Sequence, residues 1–224
     1  MIKRLLIANR GEIACRVIHT AKQLGIYTIA VFSDSDRQAM FVKLADEAWH
    51  IGPSEPSQSY LDAQKILGIA TQSQADAIHP GYGFLSENAE FADQCQLSGI
   101  KFIGPSSDVI RKMGSKSASK KLMESANVPL TPGYHGDDQS TERFIAEAEL
   151  IGFPLLIKAS AGGGGKGMRV AEQASELLSA IEAAKREAIN AFGDDHLLLE
   201  KYILQPRHVE VQVFCDQQGH ALYL

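Results

Sequence analysis

Cysteine is scarce in this chain and nowhere paired. Cys15, Cys95 and Cys215 are widely spaced and form no C-x-x-C motif, which fits packed, inert thiols in a reducing compartment. Positive charge is not in excess either. A net charge of −5 sets aside a protein that wraps nucleic acid non-specifically, so any anionic ligand must be met by local lysines. No apolar run approaches the roughly 20 residues of a membrane span. The start, Met1 to Ala8, is basic and then apolar, but Asn9-Arg10-Gly11-Glu12 interrupts it at once, so it reads as a first β-strand rather than a signal peptide. These features predict a chain of the cytoplasm, or of the mitochondrial matrix in a eukaryote. Nor does any carboxylate pair look like a magnesium site. What remains is ordinary globular composition, 45% hydrophobic and 22% charged, over 224 residues, enough for one large or two ordinary domains.

The most informative segment is Ile157 to Val170, where an apolar strand runs into Gly162-Gly163-Gly164-Gly165-Lys166-Gly167. Glycines without Cβ let backbone amides crowd against phosphate oxygens, and flanking lysines add charge. A Walker A loop needs Ser or Thr after Gly-Lys, and Gly167 stands there instead. Gly162, Gly164 and Gly167 satisfy G-x-G-x-x-G, but Met168-Arg169-Val170 is strand-like, whereas a dinucleotide fingerprint opens a helix. The loop is therefore expected to join two antiparallel strands and fold over phosphates, as a kinase glycine-rich loop does. A flexible linker is the plainer reading, but such linkers mix Gly with Ser and lack strands tight on both sides.

Around this loop the chain divides by pattern. Strand signals at 5–8, 26–32, 48–51, 76–79 and 100–103 alternate with helical ones at 13–24, 60–70 and 87–97, with Gly25 placed as a C′ glycine. Such alternation predicts an α/β fold, a doubly wound parallel sheet over residues 1–103. Residues 104–130 read as a helical linker with a second helix from Lys116 to Ala126. Residues 131–202 read as a small α+β unit: a helix capped by Ser140, strands at 154–158, 168–171 and 197–201, and a long helix from Ser175 to Phe192. Val209, Val211 and Val213 alternate with polar residues, which predicts a strand leading into a turn at Asp216-Gln217-Gln218-Gly219. A hairpin with nothing behind it is marginal in water, so residues 203–224 are expected to begin a domain whose body lies beyond Leu224.

With these residues in view, the chain resembles the biotin carboxylase component of biotin-dependent carboxylases, in the ATP-grasp superfamily. The resemblance is carried by Ile7 to Ala14, Ala77-Ile78-His79-Pro80-Gly81-Tyr82-Gly83-Phe84 through Asn88, Lys158 to Arg169, Glu200-Lys201-Tyr202, and Pro206 to Glu210. Any one of these is weak, whereas together and in order they are specific. Residues Gly133 to Ser140 resemble the methylcrotonoyl-CoA branch of the family. The resemblance implies an N-terminal α/β domain, an ATP lid and a C-terminal ATP-grasp domain. It also implies carboxylation of carrier-bound biotin from ATP, Mg2+ and bicarbonate through carboxyphosphate. The implied partners are a biotin carboxyl carrier domain, a carboxyltransferase subunit and a second copy of the chain, with no nucleic acid or membrane.

Carried over residue by residue, the resemblance makes Lys116, Lys158, Gly164 and Gly165 phosphate contacts, and Glu200, Lys201, Tyr202 and Ile203 the adenine and ribose hinge. His208 becomes a nucleotide-site residue, and Tyr82 and Gly83 neighbours of biotin and bicarbonate. Plainer readings stand beside these: solvated lysines, a strand exit, a structural histidine and a rigid loop. Arg16, His19 and Gln23 form a polar helix face, either solvated or a subunit contact. Catalytic and metal-binding residues are implied beyond Leu224 and none is assigned within this chain. Another ATP-grasp ligase and a non-catalytic nucleotide-binding or assembly module stay open, while a dehydrogenase is weak because Ala8 to Glu12 offers a single glycine. Phosphoryl transfer needs charge stabilisation from both sides of its cleft. The 224-residue chain is therefore expected to show no turnover; bicarbonate- and biotin-dependent release of ADP from it would contradict that.

Overall fold

The computed structural model describes residues 2–161, 167–216 and 218–224, so Gly162 to Lys166 and Gln217 lie outside the described residues. The chain divides into two units, residues 1–119 and 120–224. The first contains β1 (Arg4–Ile7), α1 (Gly11–Gln23), β2 (Tyr27–Ser33), α2 (Met40–Leu44), β3 (Glu47–Gly52), α3 (Ala63–Gln72), β4 (Ala77–His79), α4 (Ala89–Leu97), β5 (Lys101–Phe102) and α5 (Ser107–Gly114). Helix α6 (Lys116–Ser125) spans the division. The second continues with β6 (Gly133–Tyr134), α7 (Thr141–Ile151), β7 (Leu155–Ala159), β8 (Met168–Ala171), α8 (Ala174–Phe192), β9 (Leu197–Lys201), β10 (Val213–Cys215) and β11 (Ala221–Tyr223).

The first sheet has the order β3-β2-β1-β4-β5 with every pairing parallel. Its strands read as continuous apolar runs because both faces are covered. Leu5 and Ile7 join a core with Ala14, Ile18 and Phe41, while Leu6 and Ala8 join another with Ile66, Phe91 and Cys95. Helices therefore lie on both sides, the doubly wound arrangement expected of the alternation. Helix α1 ends as expected at a C′ glycine, with Gly25 at φ +71°. Helix α3 starts at Ala63, later than the apolar spacing indicates, because the Asp62 side chain accepts from Lys65 N at 3.0 Å and caps it there. Tyr60 is buried instead, and its hydroxyl donates to Asp36 at 2.7 Å.

The second sheet, β6-β9-β7-β8, is antiparallel and carries α7 and α8 on one face. Alternation again decides which side chain goes where. Leu155, Ile157, Ala159, Leu197 and Leu199 are buried with Phe144, Ile181 and Ala184 of these helices. Lys158 and Glu200, one residue out of phase, belong to the opposite face. The Ser140 cap forms as expected, accepting from Arg143 N. Strand β6 stands in what the sequence marks only as a boundary. It is two residues long, too short for any periodicity, and is held by its register Gly133↔Glu200 and Tyr134↔Leu199.

The strand expected from Val209 to Val213 is shorter than its alternation implies. Only Val213–Cys215 pairs with β11, extended by Gln212 and Leu224, which exchange amide bonds at 3.0 and 3.3 Å. Val209 and Val211 are exposed, so their period-two pattern has no buried face to occupy.

Gly133 allows β6 to lie against β9. A Cβ there would stand 2.3 Å from the Leu199 carbonyl oxygen and 3.3 Å from Glu200 Cα, both backbone atoms unable to swing aside. Gly133→Ala is expected to destabilise the second unit by roughly 1–3 kcal/mol, the range of overpacking, as read by urea unfolding. A midpoint equal to that of the unsubstituted chain would show that β6 is dispensable.

Candidate functional site

In the second unit, β7 and β9 lie side by side in antiparallel register, with Leu156 opposite Glu200 and Lys158 opposite Leu198. Lys158 and Glu200 thus rise from adjacent strands on the face away from α7 and α8. Their side chains form an ion pair. The second Glu200 oxygen accepts from Lys120 Nζ of α6 at 2.7 Å. All three groups are largely withdrawn from water, with side-chain exposures of 11% for Glu200, 17% for Lys120 and 22% for Lys158. Burial alone would raise the Glu200 carboxyl, but the hydrogen bonds and charges of Lys120 and Lys158 outweigh it and hold the group below the ordinary glutamate range. One carboxylate shared by two ammonium groups leaves the cluster with a net positive charge of one, the sign needed to attract a phosphate.

On the far side of Lys158, β7 pairs with β8 in the register Lys158↔Met168. The two strands that flank the glycine segment are therefore antiparallel, and a strand rather than a helix follows Gly167 directly. Gly167 sits at φ +68°, where a Cβ would meet the Ala159 side chain at 2.9 Å. Gly164 and Gly165 lie outside the described residues.

The other expected nucleotide residues fall in different surroundings. Lys201 turns its Nζ toward the carbonyls of Gly152 and Phe153, at 3.1 and 2.5 Å, where it holds the end of α7 to the start of β7. The amides of Lys201 and Tyr202 donate to Pro132 and Pro154, so the first amide past the sheet ladder is that of Ile203, whose side chain is half exposed. His208 is exposed, with Nε2 3.0 Å from Glu210. Lys116 is the first residue of α6 and belongs to the first unit. Lys120, not among the expected site residues, does carry a sequence signal: it follows Lys116 by four residues, one helical turn, and so shares its face.

In the first unit the expected biotin-facing loop lies at the carboxyl end of β4, beside the carboxyl end of β1. Strand order reverses at this point, which is where open parallel sheets collect ligands. Asn9 Nδ2 donates to the carbonyls of Pro80 and Tyr82 at 2.7 and 2.8 Å. Gly81 and Gly83 adopt φ +65° and +67°, and a Cβ on Gly81 would collide with Asn9 at 2.7 Å. His79 accepts the Gly81 amide on Nδ1 at 3.0 Å, and burial lowers its pKa, so the ring is neutral with its proton on Nε2. The Tyr82 hydroxyl meets Glu12, and its ring is 60% exposed. Behind the loop, Arg10 pairs with buried Asp36 through two hydrogen bonds, at 2.7 and 2.5 Å. The arrangement holds Tyr82 and Gly83 on a rigid support. On α1, Gln23 Nε2 lies 3.1 Å from His19 Nε2. Among the described residues no three His, Cys, Asp or Glu side chains come together to hold a metal ion. No helix is long and apolar enough to cross a membrane among the described residues.

Comparison with known proteins follows this division. Residues 1–110 match the family "Biotin carboxylase, N-terminal domain", and residues 115–224 match "Carbamoyl-phosphate synthase L chain, ATP binding domain". The mitochondrial methylcrotonoyl-CoA carboxylase subunit alpha of Dictyostelium discoideum is 56% identical over 223 residues, all of this chain and 32% of that protein. The crystal structure of a biotin carboxylase from Campylobacter jejuni, described as a β-γ-ATP complex, superposes with a TM-score of 0.95 at 46% identity, covering 100% of this chain and 50% of that one. The biotin carboxylase domain dimer of Hydrogenobacter thermophilus 2-oxoglutarate carboxylase, solved with MgADP, ADP and bicarbonate, gives a TM-score of 0.92 at 49% identity, over 100% and 49% of the two chains. The chain thus spans about a third of the curated relative and half of each solved chain.

The Glu200 cluster predicts a pH dependence. Because the folded carboxyl lies below its unfolded value of about 4.3, the stability it contributes is complete above that pH and is lost as pH falls through the folded value. Glu200→Gln is expected to cost the second unit roughly 2–4 kcal/mol at pH 7, by leaving two partly buried ammonium groups without a counter-ion. Below pH 4 that difference should shrink. Urea unfolding at pH 7, 4.5 and 3 checks this, and a difference independent of pH would remove the charge argument.

Proposed function

The chain belongs to the biotin carboxylase family, and from that premise we propose that it holds the nucleotide in an ATP- and bicarbonate-dependent carboxylation of carrier-bound biotin. The parent activity is that of a ligase, of the methylcrotonoyl-CoA type. The observation that carries this reading is the antiparallel pair β7–β8 on either side of the glycine segment, with Lys158 on the face where Glu200 and Lys120 gather.

In this proposal Lys158 presents its ammonium to the phosphates as a point charge, with Lys116 as a second phosphate contact. Gly164 and Gly165 approach phosphate through backbone amides. Glu200 to Ile203 line the adenine and ribose, with Ile203 offering the first amide beyond the ladder. His208 is proposed as a further nucleotide contact. The rigid Tyr82-Gly83 turn is proposed to face biotin and bicarbonate. The segment 131–202 is proposed as the ATP lid, with 203–224 leading into the C-terminal ATP-grasp domain. Mg2+ is the expected companion of ATP. The biotin carboxyl carrier domain, a carboxyltransferase subunit and a second copy of the chain are the proposed partners. The methylcrotonoyl-CoA assignment rests on the 56% identity with relatives of that name.

Titration calorimetry of MgATP into this chain tests the site. The expected dissociation constant is tighter than about 1 mM, equivalent to roughly −4 kcal/mol. Lys158→Ala should weaken it at least tenfold, with Lys166→Ala as a second variant. Absence of heat at millimolar MgATP would overturn the reading for this chain.

A further inference from the structure

Glu200 is bonded twice over. One oxygen takes Lys158 from the neighbouring strand, the other takes Lys120 from α6 at 2.7 Å, and both pairs are largely shielded from water. One ammonium group is enough to neutralise a carboxylate, so the second is surplus by charge. Lys158 is the lysine at the end of the strand that enters the glycine segment, whereas Lys120 reaches the carboxylate from a helix. If Lys158 turns from Glu200 toward an anion, Lys120 stays behind and keeps the carboxylate matched. Without Lys120, that movement would leave a nearly buried carboxylate uncompensated, which is among the costlier arrangements in a folded protein.

We propose that Lys120 is a positioning residue, a stationary counter-ion for Glu200 that releases Lys158 to engage a polyphosphate. Lys120 itself does not touch the ligand. The proposal rests on the nucleotide reading above and adds to it a division of labour between two lysines on one carboxylate.

The consequence is a specific pattern of rescue. Lys120→Met should weaken MgATP binding at least tenfold, about 1.4 kcal/mol, because the anion must now take Lys158 from its sole counter-charge. Lys120→Arg keeps the charge and should stay within about threefold of the unsubstituted chain. Because Glu200 is itself placed beside the nucleotide, the reference for the double variant is Glu200→Gln alone: adding Lys120→Met to that chain should weaken binding less than about threefold, since a neutral amide leaves no stranded charge. Titration calorimetry on the five chains, with MgATP and with inorganic triphosphate as probes, reads the pattern. Circular dichroism and urea midpoints of each chain separate it from unfolding: a double variant that binds well is folded by that fact alone. A loss on adding Lys120→Met to Glu200→Gln as large as the loss in the unsubstituted background would make Lys120 a direct phosphate contact and overturn the proposal. Unchanged binding in Lys120→Met would overturn it too. Failure of the unsubstituted chain to bind either probe would instead sink the nucleotide reading, and this inference with it.

Discussion

A sheet that gives one face to its helices must find another use for the second, and this constraint organises the 120–224 unit. Leu155, Ile157, Ala159, Leu197 and Leu199 of β7 and β9 are committed to α7 and α8. Strand alternation then sends Lys158 and Glu200 to the opposite face. A carboxylate placed there with little access to water has to be matched by charge. Glu200 is matched twice, by Lys158 and Lys120, so the polar face is an ionic cluster with a net positive charge rather than a neutral pair. The lysine at the end of the strand before the glycine segment is therefore paired with a carboxylate that a helix lysine also holds.

The first unit meets the opposite constraint. Its parallel sheet is covered on both faces, so the strand interiors have no room for polar chemistry and the informative residues gather at the carboxyl ends of β1 and β4. Asn9 ties the loop after β4 to the loop after β1 with two hydrogen bonds, and Gly81 is small enough to permit them. Asp36, nearly buried, is held by Arg10 and by the Tyr60 hydroxyl. Charge on Arg10 and hydrogen bonds keep its carboxyl below the usual range, against the effect of burial. Desolvation and Asp36 push the Tyr60 phenol up to about 12. These polar groups work as struts, and what they support is the exposed turn at Tyr82.

Much of this was legible beforehand wherever a residue pattern has one physical outcome. Continuous apolar runs separated by helical spacing led to a parallel sheet because parallel strands are buried on both faces. Ser140 and Gly25 marked helix ends through caps that form as the side chain or the lack of Cβ requires, whereas the Asp62 cap was seen only in the fold. Where two outcomes were open, the pattern was silent. The alternation of Val209, Val211 and Val213 has the same period whether or not a partner strand lies beside it. Two residues at Gly133 and Tyr134 are too few to show a period at all. Lys201 looks like any hinge lysine in the sequence, and only the proximity of the Gly152 and Phe153 carbonyls shows where its ammonium is engaged.

The sequence by itself determined the alternating parallel α/β unit, the helix ends at Gly25 and Ser140, and the antiparallel strands expected around the glycine segment. Each of these depends on residues close in the chain, through periodicity, capping and the absence of Cβ. The pairing of side chains was decided by tertiary structure alone. Glu200 lies 42 positions from Lys158, and Asn9 lies 71 and 73 positions from the carbonyls it binds. Which of several lysines meets a given carboxylate depends on register across a sheet and on where a helix is seated, because an ion pair acts over a few ångströms of space and takes no account of distance along the chain.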